Sequence, residues 1–413
     1  MEGLKEIGVI LKEASKYLNK ASSEEKNVAL LDVSKSIRDN MEEILQANKE
    51  DIRLARESNM KEGLIDRLLL DESRVESIID GILTVVKLDD PIWKSERVWT
   101  LKNGLTISKM SVPLGVIGII YESRPNVTVD AFALALKSGN SILLRGSSSA
   151  INSNRALVGA IKEGLVNSNI PTGVVEFIDD TDRGLVDEML KSNDFLDLII
   201  PRGGADLINF VVKNATVPTL QTGEGNCHLF IDKTANIEDG LNILMNAKTQ
   251  RVGVCNACET LLVHRDIAEV FLPMVEKALE NIVELRADDE SRAYIEANLA
   301  TEEDYQTEFL DYILAIKIVG SIDEAIDHIN KYGTKHSEAI VTENLKNATK
   351  FQRQVDASTV YVNASTRFTD GSEFGFGAEM GISTQKTHAR GPVGLEQLVT
   401  HKYLIMGDGQ TRK

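Results

Sequence analysis

Apolar residues recur every three or four positions along residues 5–87, as at Val28, Leu31, Val33, Ile37, Met41, Ile44 and Leu45, with charges between them. That spacing gathers them on one stripe of a helix, so an amphipathic helical prelude is predicted. At 98–112 the period drops to two in VWTLKNGLTISKMSV, centred on Asn103 and Gly104. Asn-Gly favours the tight turn of a hairpin, and a hairpin projecting from the body is expected. Beyond it, short apolar runs alternate with helical stretches: GVIGIIY, VDAFALALKSG, SILLR, INSNRALVGAIKEGLV, VVEFI, LVDEMLKSN, DLIIP and ADLINFVVKN. Repeated strand–helix–strand units of this kind predict a parallel sheet covered by helices.

A second alternation starts at HLFID and runs through a helix from about residue 237, ETLLVH, AEVFLPMVEKALENI, ILAIKIV, DEAIDHINKY, EAIVT and TVYVN. The expected fold class is therefore α/β, with two domains built on parallel-type sheets. Residues 1–97 and 113–224 make the first domain, and 225–382 the second. The Gly-rich TDGSEFGFGAEMGIST reads as irregular, and EQLVTHKYLIMG as a late strand. That strand (within 395–413) and the hairpin (98–112) offer edges that neither sheet uses, so both are expected to pair with another copy.

The chain has 413 residues, 46 Lys plus Arg, 63 Asp plus Glu, and a formal charge of −17. Scattered, outnumbered basic residues argue against nucleic acid as a partner. A hydrophobic share of 42% supports large buried cores. No run approaches the roughly 20 apolar residues that span a bilayer, and MEGLKEIGVILKEASKYLNK is too charged for a signal peptide, so a cytoplasmic location is expected. Cys227, Cys255 and Cys258 are an odd number in a long chain, which suits reduced thiols.

Chemistry concentrates first in RVGVCNACETLLVH. Cys255 is expected where a loop opens into a helical turn, whose unpaired N–H groups would favour the thiolate that attacks carbonyls. The competing reading is a buried cysteine acting as a small hydrophobe. The Cys255 and Cys258 spacing also suits a thiol or metal pair, but only His264 lies near as a further ligand, so no metal is expected. PLGVIGIIYESRPN and LLRGSSSA are polar turns after strands, where parallel sheets bind ligands. Asn126, beside Arg124, carries an amide suited to an oxyanion. Arg145, Gly146, Ser147 and Ser148 suit phosphate or ribose hydroxyls. PRGGADLI adds Arg202, Gly203 and Gly204 in a third such turn. No GxGxxG follows the first strand, so the standard dinucleotide turn is absent.

Cys255 in VCNACETLLVH, Asn126 in PLGVIGIIYESRPN and the LLRGSSSA turn together resemble the aldehyde dehydrogenase superfamily. Within it they resemble the γ-glutamyl phosphate reductases, whose signature is similar to AIDHINKYGTKHSEAIVT at 325–342. The resemblance runs from the N-terminal helices to HKYLI. It implies an aldehyde dehydrogenase-like fold with a small oligomerisation hairpin and strand, hence a homo-oligomer. It implies Cys255 as nucleophile toward L-glutamyl 5-phosphate, Asn126 as oxyanion donor with the backbone N–H of Cys255, and Glu308 in TEFLDYIL as the glutamate that holds the nicotinamide ribose. The product would be L-glutamate 5-semialdehyde, on the route to proline.

Aligning the superfamily's ELGGK-like turn with QTGEGNCHLFID puts Gln221 where hydrolytic members keep a glutamate base, with Glu224 three residues on. Gln accepts no proton, which favours reduction over hydrolysis. NADPH is the expected cofactor, because Ser148, with Arg145 close by, stands where NAD-preferring members often place a carboxylate. Arg124, Arg251, Arg367, His388 and Arg390 are the candidate cations for the substrate's carboxylate and phosphate. A contact with glutamate 5-kinase, which would supply the labile acyl phosphate, follows from chemistry alone. The rivals are a hydrolytic or CoA-acylating aldehyde dehydrogenase, and a non-catalytic binding or metal protein in which CNAC is a thiol pair.

Overall fold

A computed structural model describes residues 2–182 and 184–412. The chain divides into two units: the stretch up to Gln221 with Gly375–Gly381 and the stretch from Val393, and Thr222–Phe374 with Ile382–Pro392. The first break falls after Gln221 rather than at 224, and the Gly-rich stretch is split. Backbone pairing explains the split: Met380 N–H donates to Val393 O at 2.8 Å and Val393 N–H to Gly381 O at 2.7 Å.

The prelude of the first unit is five helices: Glu2–Leu18, Ser23–Asp39, Met41–Glu57, Glu62–Leu68 and Glu72–Lys87. Side-chain caps mark the starts of two of them. Ser22 and Glu25 form a reciprocal capping box, and Asp71 accepts the N–H of Arg74. Four parallel strands follow, in the order Val175–Phe177, Ser141–Arg145, Val116–Tyr121, Leu198–Arg202. Every residue of Val116–Tyr121 and Ser141–Arg145 is buried, which is why these segments read as unbroken apolar runs rather than alternating ones.

The hairpin strands Ser95–Thr100 and Thr106–Pro113 turn through Gly104, whose φ of +88° suits glycine. The edge of Thr106–Pro113 is taken by Val399–Met406 of the same chain, registered from Val399 opposite Pro113 to Met406 opposite Thr106. The hairpin and the late strand thus pair with each other within one chain, and Ser95–Thr100 and Val399–Met406 form the two outer edges of this three-stranded sheet.

The second unit holds seven strands in the order Asn298–Leu299, Glu284–Ala287, Ile313–Val319, Cys258–His264, Cys227–Ile231, Ser337–Val341, Thr359–Val362, every neighbouring pair parallel. Its faces alternate with period two. Leu229, Ile231, Leu261 and Val263 join one core, and Phe230, Leu262 and Ile340 the other. The two outer strands Glu284–Ala287 and Asn298–Leu299 and the helix Leu345–Gln354 lack a clear apolar signature. That helix buries only Ala348 and Phe351 and is started by Asn344, whose Oδ1 accepts the N–H groups of Lys346 and Asn347.

Candidate active site

In the second unit the helix Ile237–Thr249 leads through a loop to the central strand Cys258–His264, and Cys255 lies in the turn closed by Ala257 N–H donating to Val254 O at 3.1 Å. No helix begins here; a strand does. The expected helix-dipole support for a thiolate is therefore absent, because the turn is followed by extended chain. The turn is fastened from two sides. Asn256 Nδ2 donates to the carbonyls of Arg367 (3.2 Å) and Thr369 (2.9 Å), and Thr366 Oγ1 donates to Asn256 O at 2.7 Å. Opposite, Cys227 Sγ donates to Cys255 O at 3.2 Å, and Gly225 packs so closely that an added Cβ would lie 1.4 Å from that oxygen.

Gly225 N–H donates to Glu308 Oε1 at 2.7 Å. Glu308 is half-buried rather than solvated, and burial pushes its carboxyl up against the opposing pull of the Gly225 hydrogen bond. Two residues along, Leu310 N–H donates to Glu259 Oε1 at 3.1 Å. Glu259 pairs with Lys248 at 2.5 Å, both side chains being fully buried. Burial raises the Glu259 carboxyl to about 7, with Lys248 opposing the rise. Glu308 is thus set between Gly225 and an internal ion pair.

Of the cations that bear on Cys255, Arg251 lies in the same loop and Arg367 comes from a distant segment. Arg367 is half-buried; burial and the charge of Arg251 lower its pKa, while Cys255 acts in the opposite sense, so all three lie within electrostatic reach. Arg367 Nε donates to Gln250 Oε1 at 2.8 Å and lines a pocket of about 190 Å³ with Asn256 and Phe368. A larger hollow of about 570 Å³, lined by Arg286 and Phe309, contains none of the expected residues, so size does not pick out the site. Arg390 is committed to Asp356 (2.9 Å), which Lys386 (2.8 Å) and Lys335 (3.5 Å) also reach. His388 is exposed on the same loop.

In the first unit Asn126 is the first residue of the helix Asn126–Lys137, and its Nδ2 donates to Asp130 Oδ2 at 2.9 Å. One amide hydrogen therefore already has an acceptor. Arg124 is exposed. At the turn after Ser141–Arg145 the hydroxyls of Ser123, Ser147 and Ser149 join at 3.0 and 2.6 Å, and Ser148 is exposed. Arg145 is buried, donating Nη1 to Gly146 O. Its Nε and the neighbouring Asn154 Nδ2 are buried donors without an acceptor. At the third turn Gly204 N–H donates to Glu122 Oε2 at 2.8 Å, with Gly203 against the same carboxylate.

Asp130, Glu122, the contact of Cys227 with the Cys255 carbonyl and the Asn256 to Thr369 bracing escaped the sequence reading. Only Asp130 carried a local signal, lying four residues after Asn126 on one helix face. All three cysteines are thiols; Cys227 and Cys258 are fully buried and Cys255 half-buried.

The pattern of the aldehyde dehydrogenase family matches residues 4–297 and 297–391. An acetylating aldehyde dehydrogenase from Geobacillus thermoglucosidasius superposes with a TM-score of 0.70 at 17% identity, covering 100% of this chain and 98% of its own, which speaks to the fold alone. The chain belongs to the aldehyde dehydrogenase family. Relatives named γ-glutamyl phosphate reductase are 61% identical over 100% of both chains (Alkaliphilus metalliredigens) and 56% identical over 98% of both (Caldicellulosiruptor saccharolyticus). The crystal structure of γ-glutamyl phosphate reductase from Thermotoga maritima superposes with a TM-score of 0.97 at 51% identity, over 99% of this chain and 100% of that one. Within the family, the chain belongs with the γ-glutamyl phosphate reductases.

Proposed function

We propose that the chain reduces L-glutamyl 5-phosphate to L-glutamate 5-semialdehyde with release of phosphate, using Cys255 as nucleophile and NADPH as reductant. The observation that carries this is the held geometry of Cys255, half-buried and braced from both sides, within electrostatic reach of Arg251 and Arg367. The cationic pair favours the thiolate, which attacks the acyl carbon. A carbon–sulfur bond forms, the bond to phosphate oxygen breaks, and phosphate departs with the electron pair. In the role that the family resemblance gives it, Asn126 would donate to the oxyanion of the tetrahedral species, and loss of such a donor typically costs ~100 to 1,000-fold in rate.

The hydroxyl-rich turn Ser147–Ser149 with Ser123, and the buried Arg145 and Asn154 donors beneath it, suit a polar, phosphate-bearing cofactor. Ser147 and Ser148 would hold its adenosine end, Arg202, Gly203 and Gly204 would cover its nicotinamide end, and Glu308 would hold the nicotinamide ribose. When bound, the dihydronicotinamide would supply a hydride to the thioacyl carbon; the carbon–sulfur bond then breaks, Cys255 leaves as the thiolate, and the aldehyde is released. Glu224 is exposed, and its charge helps raise Glu308. With Gln221 at the position of the hydrolytic glutamate, no base is assigned to water. The product's own amine lies within ring-closing reach of its aldehyde, so 1-pyrroline-5-carboxylate follows without a catalyst. Arg251 and Arg367 are the best placed substrate cations; Arg124, His388 and Arg390 complete the candidate set. A homo-oligomer built on the three-stranded sheet is favoured by the exposed Tyr403, Ile405 and Met406 of its edge strand.

The test is NADP⁺ reduction with 1-pyrroline-5-carboxylate, with and without phosphate. Phosphate-dependent turnover that vanishes in Cys255→Ser, with nucleotide binding retained, is the expected result. Turnover indifferent to phosphate would overturn the reading in favour of a hydrolytic or CoA-acylating enzyme.

A further inference from the structure

We propose that Asp130 is a positioning residue for Asn126: its carboxylate, one helical turn on, accepts the amide N–H and thereby decides which edge of the carboxamide is left for an oxyanion. The inference rests on the reading of Asn126 as oxyanion donor. A terminal amide has a donor edge and an acceptor edge of nearly equal shape, and its last torsion is soft and roughly two-fold. Turned by half a circle, Asn126 would present Oδ1, which repels an oxyanion. An ionised carboxylate only accepts, so it tolerates the Nδ2 edge and rejects the Oδ1 edge. The 2.9 Å contact from Asn126 Nδ2 to Asp130 Oδ2 is that selection in place. It leaves the second Nδ2 hydrogen with a defined direction.

The surroundings make the carboxylate's ionisation consequential. Arg202, at the end of the strand Leu198–Arg202, is the charged group that acts on it, and the helix Glu72–Lys87 turns the side-chain-free Gly81 toward it. Burial raises the Asp130 carboxyl to about 6, while Asn126 and Arg202 hold it lower than burial alone would. Below that pH the group gains a proton and a donor, the Oδ1 edge becomes acceptable to it, and the selection is lost. The deprotonated form is the competent one, so turnover falls as pH drops through about 6.

The test is the phosphate-dependent assay above, run from about pH 5 to 8.5 on Asp130→Asn, Asp130→Glu, Asn126→Ala and the double variant Asn126→Ala/Asp130→Asn, with folding checked by thermal melting. Asp130→Asn is nearly isosteric but has both a donor and an acceptor. It is expected to lower kcat roughly tenfold or more, to leave KM for the nucleotide within about twofold, and to abolish the acid limb near pH 6, a smaller loss than the ~100 to 1,000-fold of a missing donor. Asp130→Glu should recover part of kcat, and the double variant should be no slower than Asn126→Ala alone. If Asn126→Ala is slow but Asp130→Asn keeps wild-type kcat and the acid limb, or the two losses multiply, the Asp130 inference is overturned while the oxyanion reading stands. If Asn126→Ala itself turns over normally, the oxyanion reading fails, and this inference with it.

Discussion

Three thiols share one neighbourhood, and burial separates them. Cys227 and Cys258 are fully enclosed; burial pushes Cys258 up to about 12 and raises Cys227 as well. Cys255, half-buried beside two arginines, should therefore be the thiol that a mild alkylating reagent modifies at neutral pH, as peptide mass spectrometry would show. Equal labelling of Cys255 and Cys258 would instead favour a thiol pair. Gly225 is a second single-residue determinant. Because a methyl group there would run into the backbone carbonyl of Cys255, Gly225→Ala forces a main-chain shift costing about 1–3 kcal/mol. It also disturbs the donor to Glu308, so kcat should fall at least about tenfold alongside a lower melting temperature. At the serine turn, if the proposed NADPH reading holds, Ser148→Glu sets a carboxylate against the cofactor's 2′-phosphate. A rise of roughly tenfold or more in KM for NADPH, with little change for NADH, is expected from like-charge repulsion in steady-state kinetics.

Between elements, buried charge does the positioning. Lys248 on the helix Ile237–Thr249 and Glu259 on the strand Cys258–His264 are both fully enclosed, and Glu259 also carries the N–H of Leu310. Lys248→Met strands a carboxylate in the interior and should cost about 3–5 kcal/mol in denaturant unfolding. Adding Glu259→Leu should recover only part of it, since Leu310 N–H then loses its acceptor. Asp356 ties the loop of Lys386 and Arg390 to Lys335. Its bond to Lys386, then Arg390, depresses its carboxyl to about 2. A lowered acid contributes stability above its usual titration range and loses it as pH falls toward the lowered value. Asp356→Asn should therefore melt below the wild type at pH 7, with the gap closing between about pH 4 and 2.

Across the whole molecule, the antiparallel pairing of Val399–Met406 with Thr106–Pro113 joins residues from opposite ends of the chain. Ending the chain before Val399 would bare eight residues of strand edge, and light scattering should show aggregation at temperatures where the full chain stays clear. The amphipathic prelude, both strand–helix alternations and the hairpin were legible in residue spacing, because each follows from a local period. The outer strands and the helix Leu345–Gln354 were not, since a lone cap and two buried side chains leave little periodic trace.

What residue order alone established here was the α/β class, the inner strands, and the short segments around Cys255 and Asn126 that resemble a known family. The folded chain decided the rest of the site. Cys227 meets the Cys255 carbonyl across 28 positions, Glu308 meets Gly225 across 83, and Thr369 meets Asn256 across 113. A repeating pattern can announce a helix or a strand. It carries no information about which distant carbonyl a thiol will find once the sheet has formed, because that choice is made by packing between segments and not by the period within one.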